Sequence, residues 1–162
     1  MKVLVTGGAG YVGTTLIPLL LDRGYEVTVL DSLMYGGAAL VPFFRRPNFR
    51  FIRGDVRDRA ALESAVDGKD VVVHLAAIVG YPACLKEPRL ATEVNLEATQ
   101  TLGDVVRDDQ VVLFASTGSN YGALGDEICT EEAPLNPLRD YLNHMTHPVD
   151  RASECYSQEI MA

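Results

Sequence analysis

The stretch Val3-Leu4-Val5-Thr6-Gly7-Gly8-Ala9-Gly10-Tyr11-Val12-Gly13 constrains this chain more than any other. An apolar run enters a glycine loop and an apolar-periodic segment leaves it. That order reads as strand, tight turn, helix. Gly8, Gly10 and Gly13 satisfy G-x-G-x-x-G, and Thr6, Gly7, Gly10 and Gly13 satisfy T-G-x-x-G-x-x-G. Glycine removes the Cβ that would keep a pyrophosphate off the backbone. The following helix N-terminus offers free N–H groups and partial positive charge to the anion. Taken alone, the loop is also compatible with a strand–helix turn that holds no ligand.

Glu26 to Leu30 reads as a second strand, closed by Asp31. Asp31 lies about 20 residues beyond the loop, where a dinucleotide fold places its ribose-binding carboxylate. A carboxylate there accepts hydrogen bonds from the adenosine 2′ and 3′ hydroxyls and repels a 2′-phosphate. Asp31 therefore points to NAD rather than NADP. Between loop and strand, Val12, Leu16, Leu19 and Leu20 recur at helical spacing and predict one apolar face. Pro18 interrupts that helix and Gly24 is placed to end it.

The alternation continues. Asn48 to Arg53 reads as a third strand, and Asp58 is placed to cap a short helix that Gly68 stops. Val71 to Leu75 is a continuous apolar fourth strand, suited to burial on both faces, and Gln110 to Ala115 a fifth. Ser32 to Pro47 reads as a loop with one helical turn, and Gly80 to Glu87 as a loop. Pro88 opens a long helix with Leu90, Val94, Ala98, Leu102 and Val106 on one buried line and Asn95 among them. His74 reads as a packed strand-end histidine. The hydroxyls of Ser116 to Gly122 form either a ligand edge or a Ser/Gly-rich turn. These units predict an α/β fold, a Rossmann-like doubly wound parallel sheet with strand order 3-2-1-4-5.

The chain has 162 residues, enough for one domain with a real core. Its net charge of -8 argues against nucleic-acid or anionic-membrane partners, so an anionic ligand must be held by local backbone amides. Three cysteines without C-x-x-C spacing, Cys84, Cys129 and Cys155, read as reduced thiols of a cytoplasmic protein. Strand-like sequence from Lys2 leaves no signal peptide, and no apolar run has the length of a membrane span. His144, His147 and Cys155 fit no standard zinc spacing, so no metal is expected.

Several ordered blocks make a resemblance specific. They are Thr6 to Gly13, Leu30-Asp31, Gly54-Asp55-Val56-Arg57-Asp58, His74-Leu75-Ala76-Ala77, Asn95, Ser116 to Gly122 and Pro134-Leu135-Asn136-Pro137. Over residues 1–141 the chain resembles the N-terminal part of an extended short-chain dehydrogenase/reductase of the NAD-dependent epimerase/dehydratase family. The resemblance implies an NAD-binding domain over 1–141, followed by a divergent tail over 142–162. It implies that Gly7, Gly10 and Gly13 hold the pyrophosphate, with Tyr11 and Val12 in the same site, and that Asp31 holds the ribose. It further implies Asp55 and Val56 flanking the adenine, and Ala76 and Ala77 lining the cofactor channel. Asn95, counted with the cofactor set, bonds to backbone in the active-site helix. Thr117 is the substrate-facing hydroxyl and Tyr141 the catalytic tyrosine. The implied substrate is a nucleotide-linked sugar, processed by transient hydride transfer.

Two departures temper this. The family pattern is Tyr-x-x-x-Lys, whereas here Tyr141-Leu142-Asn143-His144-Met145 puts methionine in the lysine position. The only lysines are Lys2, Lys69 and Lys86. Family members also run on through two further strands and a substrate lobe that this sequence is not expected to carry. Two functions therefore stand: an enzyme, complete, homo-oligomeric or assembled with a complementing chain, and a non-catalytic NAD-binding module.

Overall fold

Five parallel strands form one sheet in the order β3-β2-β1-β4-β5. They are β1 (Lys2–Thr6), β2 (Glu26–Asp31), β3 (Phe49–Arg53), β4 (Val71–His74) and β5 (Val111–Phe114). The computed structural model describes residues 1–117 together with Tyr121 and Thr130. The expected strand order is observed. The described residues divide into two compact units, one of residues 1–77 and 101–115, the other of residues 78–100 with Ser116, Thr117, Tyr121 and Thr130.

The first unit holds the sheet. Alternation along β1, β2 and β4 sends Val3, Val5, Val27, Val29 and Val73 to one face. Ile17, Leu21 and Leu40 complete that core. Ile17 and Leu21 belong to α1 (Tyr11–Asp22) and Leu40 to a 3-10 helix (Ala38–Arg45). The buried stripe of α1 is Gly13, Ile17 and Leu21, whereas Val12 and Leu19 are exposed. The apolar face expected from Val12 and Leu19 is thus rotated by about one residue. Gly13 is the reason: a buried position without a side chain gives no hydropathy signal. The helix passes through Pro18, which costs about 3 kcal/mol in a helix interior. Burial of Ile17 and Leu21, each contributing roughly 1.5–3 kcal/mol, offsets that cost. Gly24, at φ +78°, ends the helix as expected, its N–H donating to the Leu21 carbonyl at 3.0 Å.

Helix α2 (Arg59–Val66) starts where Asp58 accepts hydrogen bonds from the Ala60 and Ala61 N–H groups, and Gly68 at φ +65° follows its end. Among the described residues β5 is a sheet edge, with Val111 54%, Leu113 48% and Phe114 43% exposed.

The helical segments between Tyr81 and Val105 depart more from expectation. Gly80 to Glu87 is not a loop: Tyr81–Lys86 forms α3. Pro82, allowed in a first turn where the N–H needs no intrahelical partner, sits at its start. The expected single helix from Pro88 is α4 (Pro88–Thr92), a π-helical turn (Glu93–Glu97) and α5 (Ala98–Val105). Ala91, Val94, Asn95, Ala98 and Leu102 are buried along this run. The segment from Glu131 to Ala162, including Tyr141, His144, Met145, His147 and Cys155, lies outside the described residues, as does Cys129.

Candidate functional site

The glycine loop is shaped by two contacts, at Gly7 and Gly13, that leave no room for a Cβ, and by a third, at Gly10, where a Cβ would be tight. Gly7 has φ +69°, and a Cβ there would sit 2.6 Å from the Ala76 nitrogen. The ends of β1 and β4 therefore meet backbone to backbone, which ties Gly7 to the expected channel residue Ala76. A Cβ on Gly13 would fall 2.5 Å from the Gly8 Cα, so α1 can approach the loop only at a bare position. A Cβ on Gly10 would meet the Gly7 carbonyl oxygen at 3.2 Å. The Gly10 N–H donates to that carbonyl at 3.0 Å and closes the turn.

Gly10 is the N-cap of α1 and brings no side chain to the cap. The first intrahelical bond runs from the Thr14 N–H to the Gly10 carbonyl, 3.0 Å. The Tyr11, Val12 and Gly13 N–H groups precede it and carry the positive end of the helix dipole. Tyr11 and Val12 are exposed, Tyr11 to 91%. This is a ready cradle for an anion: bare backbone, donors without helical partners, and side chains that stay out of the way.

Asp31 ends β2 beside the loop and is half-buried. Its Oδ2 accepts the Ala9 N–H at 2.9 Å and its Oδ1 accepts the Leu33 N–H at 2.7 Å. The second bond closes an Asx-type turn that supports Leu33 at φ +62°, rare for a non-glycine residue. A carboxylate has about four acceptor positions, so two backbone bonds leave capacity for ribose hydroxyls. The fit to an adenosine ribose is therefore retained.

The Gly54 N–H donates to the Asp31 carbonyl at 3.1 Å, which brings the end of β3 to the same edge. Val56 is buried there, and Asp55 is half-buried. Asp55 is gripped by Arg57, with Nε to Oδ1 at 3.0 Å and the second guanidinium nitrogen to Oδ2 at 2.7 Å. That forked bond, with the backbone bond from Arg57, holds the Asp55 carboxyl below its ordinary range despite partial burial. Ala76 is half-buried and Ala77 exposed at the end of β4.

Sequence reasoning gave Thr6 and His74 no site role of their own. The Thr6 Oγ1 lies 2.7 Å from the His74 Nδ1, and both residues are buried. Burial lowers the His74 pKa from 6.5 to about 4, so the ring is neutral near pH 7. As expected, His74 is packed at a strand end, stacked on Phe114 at 5.8 Å. The signal for its partnership was parallel register, which sets Thr6 opposite His74.

In the second unit, Asn95 bonds to the backbone of Ile78; the segment around Tyr141, the active-site helix with which it is expected to bond, lies outside the described residues. The Asn95 Oδ1 accepts the Ile78 N–H at 2.8 Å and the Nδ2 donates to the Ile78 carbonyl at 2.9 Å. The π turn sits at this residue, as π bulges often do where a side chain has a fixed task. Thr117, in the same unit, follows β5 and is half-buried. Tyr141 lies outside the described residues. Among the described residues no group of acidic, histidine or cysteine side chains could hold a metal, and no helix is long and apolar enough to cross a membrane.

The sequence model of the NAD dependent epimerase/dehydratase family matches residues 3–147. The chain is 37% identical over 146 residues to the low-salt glycan biosynthesis protein Agl12 of Haloferax volcanii, covering 87% of this chain and 47% of that one. Its fold superposes with a TM-score of 0.85 on a double mutant of DesIV, a dTDP-glucose 4,6-dehydratase from Streptomyces venezuelae solved with NAD bound. That pair is 36% identical and covers 98% of this chain and 52% of the other. The UDP-glucose 4-epimerase of Thermus thermophilus, solved in complex with NAD, gives a TM-score of 0.82 at 34% identity, with 98% and 51% covered. The chain thus spans about half the length of the relatives it matches. With its glycine loop, Asp31 at the end of β2 and this match over most of its length, the chain belongs to the NAD dependent epimerase/dehydratase family.

Proposed function

We propose that this chain binds NAD and is the cofactor-holding half of a nucleotide-sugar epimerase/dehydratase. The observation that carries this is the cradle in which Gly7 lies against Ala76, Gly13 against Gly8, and Asp31 against Ala9. NAD, when bound, supplies a hydride acceptor and donor for transient oxidation of a sugar carbinol. The chain's own residues bind and orient. Gly7, Gly10 and Gly13, with the Tyr11 and Val12 backbone, hold the pyrophosphate, and Asp31 accepts the ribose hydroxyls. Asp55 and Val56 flank the adenine. Ala76 and Ala77 leave room beside the β4 backbone, and Asn95 fixes Ile78. Thr117 faces the substrate and Tyr141 takes the hydroxyl proton. The three cysteines, without C-x-x-C spacing, suit a reducing cytosol.

A second function, binding without turnover, is favoured by Met145. An unperturbed tyrosine of pKa about 10 is only about 0.1% ionised at pH 7. A lysine ammonium lowers that pKa and supplies the base, and methionine does neither. The chain alone therefore holds cofactor and turns over poorly. Calorimetric titration with NAD, followed by UDP- and dTDP-sugars with absorbance of reduced nicotinamide, tests both. NAD binding without turnover, with turnover gained by Met145→Lys or by a complementing chain, supports this account. Absence of NAD binding overturns it.

A further inference from the structure

We propose that His74 is a positioning residue for the cofactor channel, orienting the Thr6 hydroxyl so that Thr6 fixes the Ala76 N–H. This rests on the NAD-binding function proposed above and deepens it. The donor and acceptor accounting carries it. Thr6 is fully buried and its backbone is committed to the sheet, with its carbonyl accepting the Leu75 N–H at 3.1 Å. Its Oγ1 accepts the Ala76 N–H at 3.4 Å. The hydroxyl proton then needs an acceptor, because a buried donor left unmade is costly. The His74 Nδ1, 2.7 Å away, supplies it. That assigns the imidazole proton to Nε2.

The ring is held for this task. His74 is 2% exposed, its ring stacks on Phe114 with planes 22° apart, and its backbone carbonyl accepts the Ala115 N–H at 3.3 Å. Burial keeps it neutral, so Nδ1 stays an acceptor across the ordinary working range. A transverse strut results, running from β1 through β4 to β5 at their carboxyl ends. What it holds is the Ala76 backbone, against which Gly7 packs too closely for any Cβ. A shift of Ala76 would thus move both the channel wall and the first glycine of the loop.

The experiment compares wild type with Thr6→Val, Thr6→Ser, His74→Phe and His74→Asn by NAD calorimetry and by amide hydrogen exchange of the free protein. His74→Phe keeps the stacked ring and removes the acceptor, whereas the Asn Oδ1 can take the place of Nδ1. Thr6→Val and His74→Phe should each weaken NAD about tenfold, the scale of one hydrogen bond, and the double variant no further than either single. In both, the Ala76 amide should exchange faster. Thr6→Ser and His74→Asn should stay within about threefold of wild type. Ring nitrogen NMR of the wild type, which needs no substitution, should show Nε2 protonated and Nδ1 bare at pH 7. An Nδ1-protonated ring, or unchanged Ala76 exchange in His74→Phe, would overturn the proposal. So would His74→Asn binding NAD as weakly as His74→Phe. If wild type binds no NAD, the functional proposal fails instead, while the exchange and ring readouts still decide the role of His74.

Discussion

The Asp31 Oδ2 accepts the Ala9 N–H at 2.9 Å across a separation of 22 residues. The carboxylate proposed above to accept ribose hydroxyls thereby also anchors the glycine loop. Asp31→Ala should remove both tasks, lowering NAD affinity and leaving the Ala9 and Leu33 N–H groups without their acceptor. Asp31→Asn can keep one of the two bonds. It should cost roughly 1–3 kcal/mol of stability and still impair binding, because its amide nitrogen accepts nothing. Calorimetry and thermal melts measure the two effects separately. Unchanged NAD affinity in Asp31→Ala would remove the ribose assignment.

The glycines sort by the space behind them. Gly13→Ala would force a Cβ to 2.5 Å from the Gly8 Cα, and Gly7→Ala would add a positive-φ strain to a clash with Ala76. Each should destabilise the fold by about 1–3 kcal/mol or more and abolish NAD binding. Gly103, inside α5, has open space within 4 Å of where a methyl group would stand, and no positive φ. Gly103→Ala should instead raise stability by roughly 0.5–1 kcal/mol and leave NAD binding alone. Urea denaturation of the three variants checks the order.

His74 also sets a pH dependence. Its pKa falls from 6.5 to about 4 on folding, so between these values the unfolded chain binds more protons than the folded one. Stability therefore rises with pH through that window and is fully present above about 6.5. Its loss on acidification to pH 4 should approach about 3 kcal/mol. Asp55, lowered by Arg57, adds a smaller loss at still lower pH, below the ordinary carboxylate range. Denaturation midpoints of wild type and His74→Asn across this range measure the slope, which the variant should flatten between pH 4 and 6.5.

Asn95 serves both polar groups of the Ile78 backbone. Asn95→Ala leaves them without this partner in a buried setting and should cost about 2 kcal/mol or more. Asn95→Asp should be no better, since a carboxylate accepts the Ile78 N–H and repels its carbonyl. Hydrogen exchange at Ile78 reads the loss directly, and protection equal to wild type would contradict it.

Much of this was legible in the sequence. Strands β1, β2, β4 and β5 were, because valine-rich runs carry a strong local signal. So were Asp58 and Gly24, whose cap chemistry acts within a few residues. The face of α1 was misplaced because Gly13 is buried without being apolar. The bonds of Asn95 to Ile78, 17 residues away, were invisible because they depend on tertiary placement. Asp31 could be placed by spacing, but its grip on Ala9 depends on how β1 and β2 end side by side. The Thr6–His74 pair likewise needed the register of β1 against β4.

The most direct measurement is calorimetric titration of the purified chain with NAD and with NADP, beside the Asp31→Ala variant. Saturable binding of NAD, much weaker binding of NADP, and loss of the NAD signal in Asp31→Ala are the predicted result. No NAD binding by the folded wild-type chain, or NAD binding that Asp31→Ala leaves unchanged, would contradict the account.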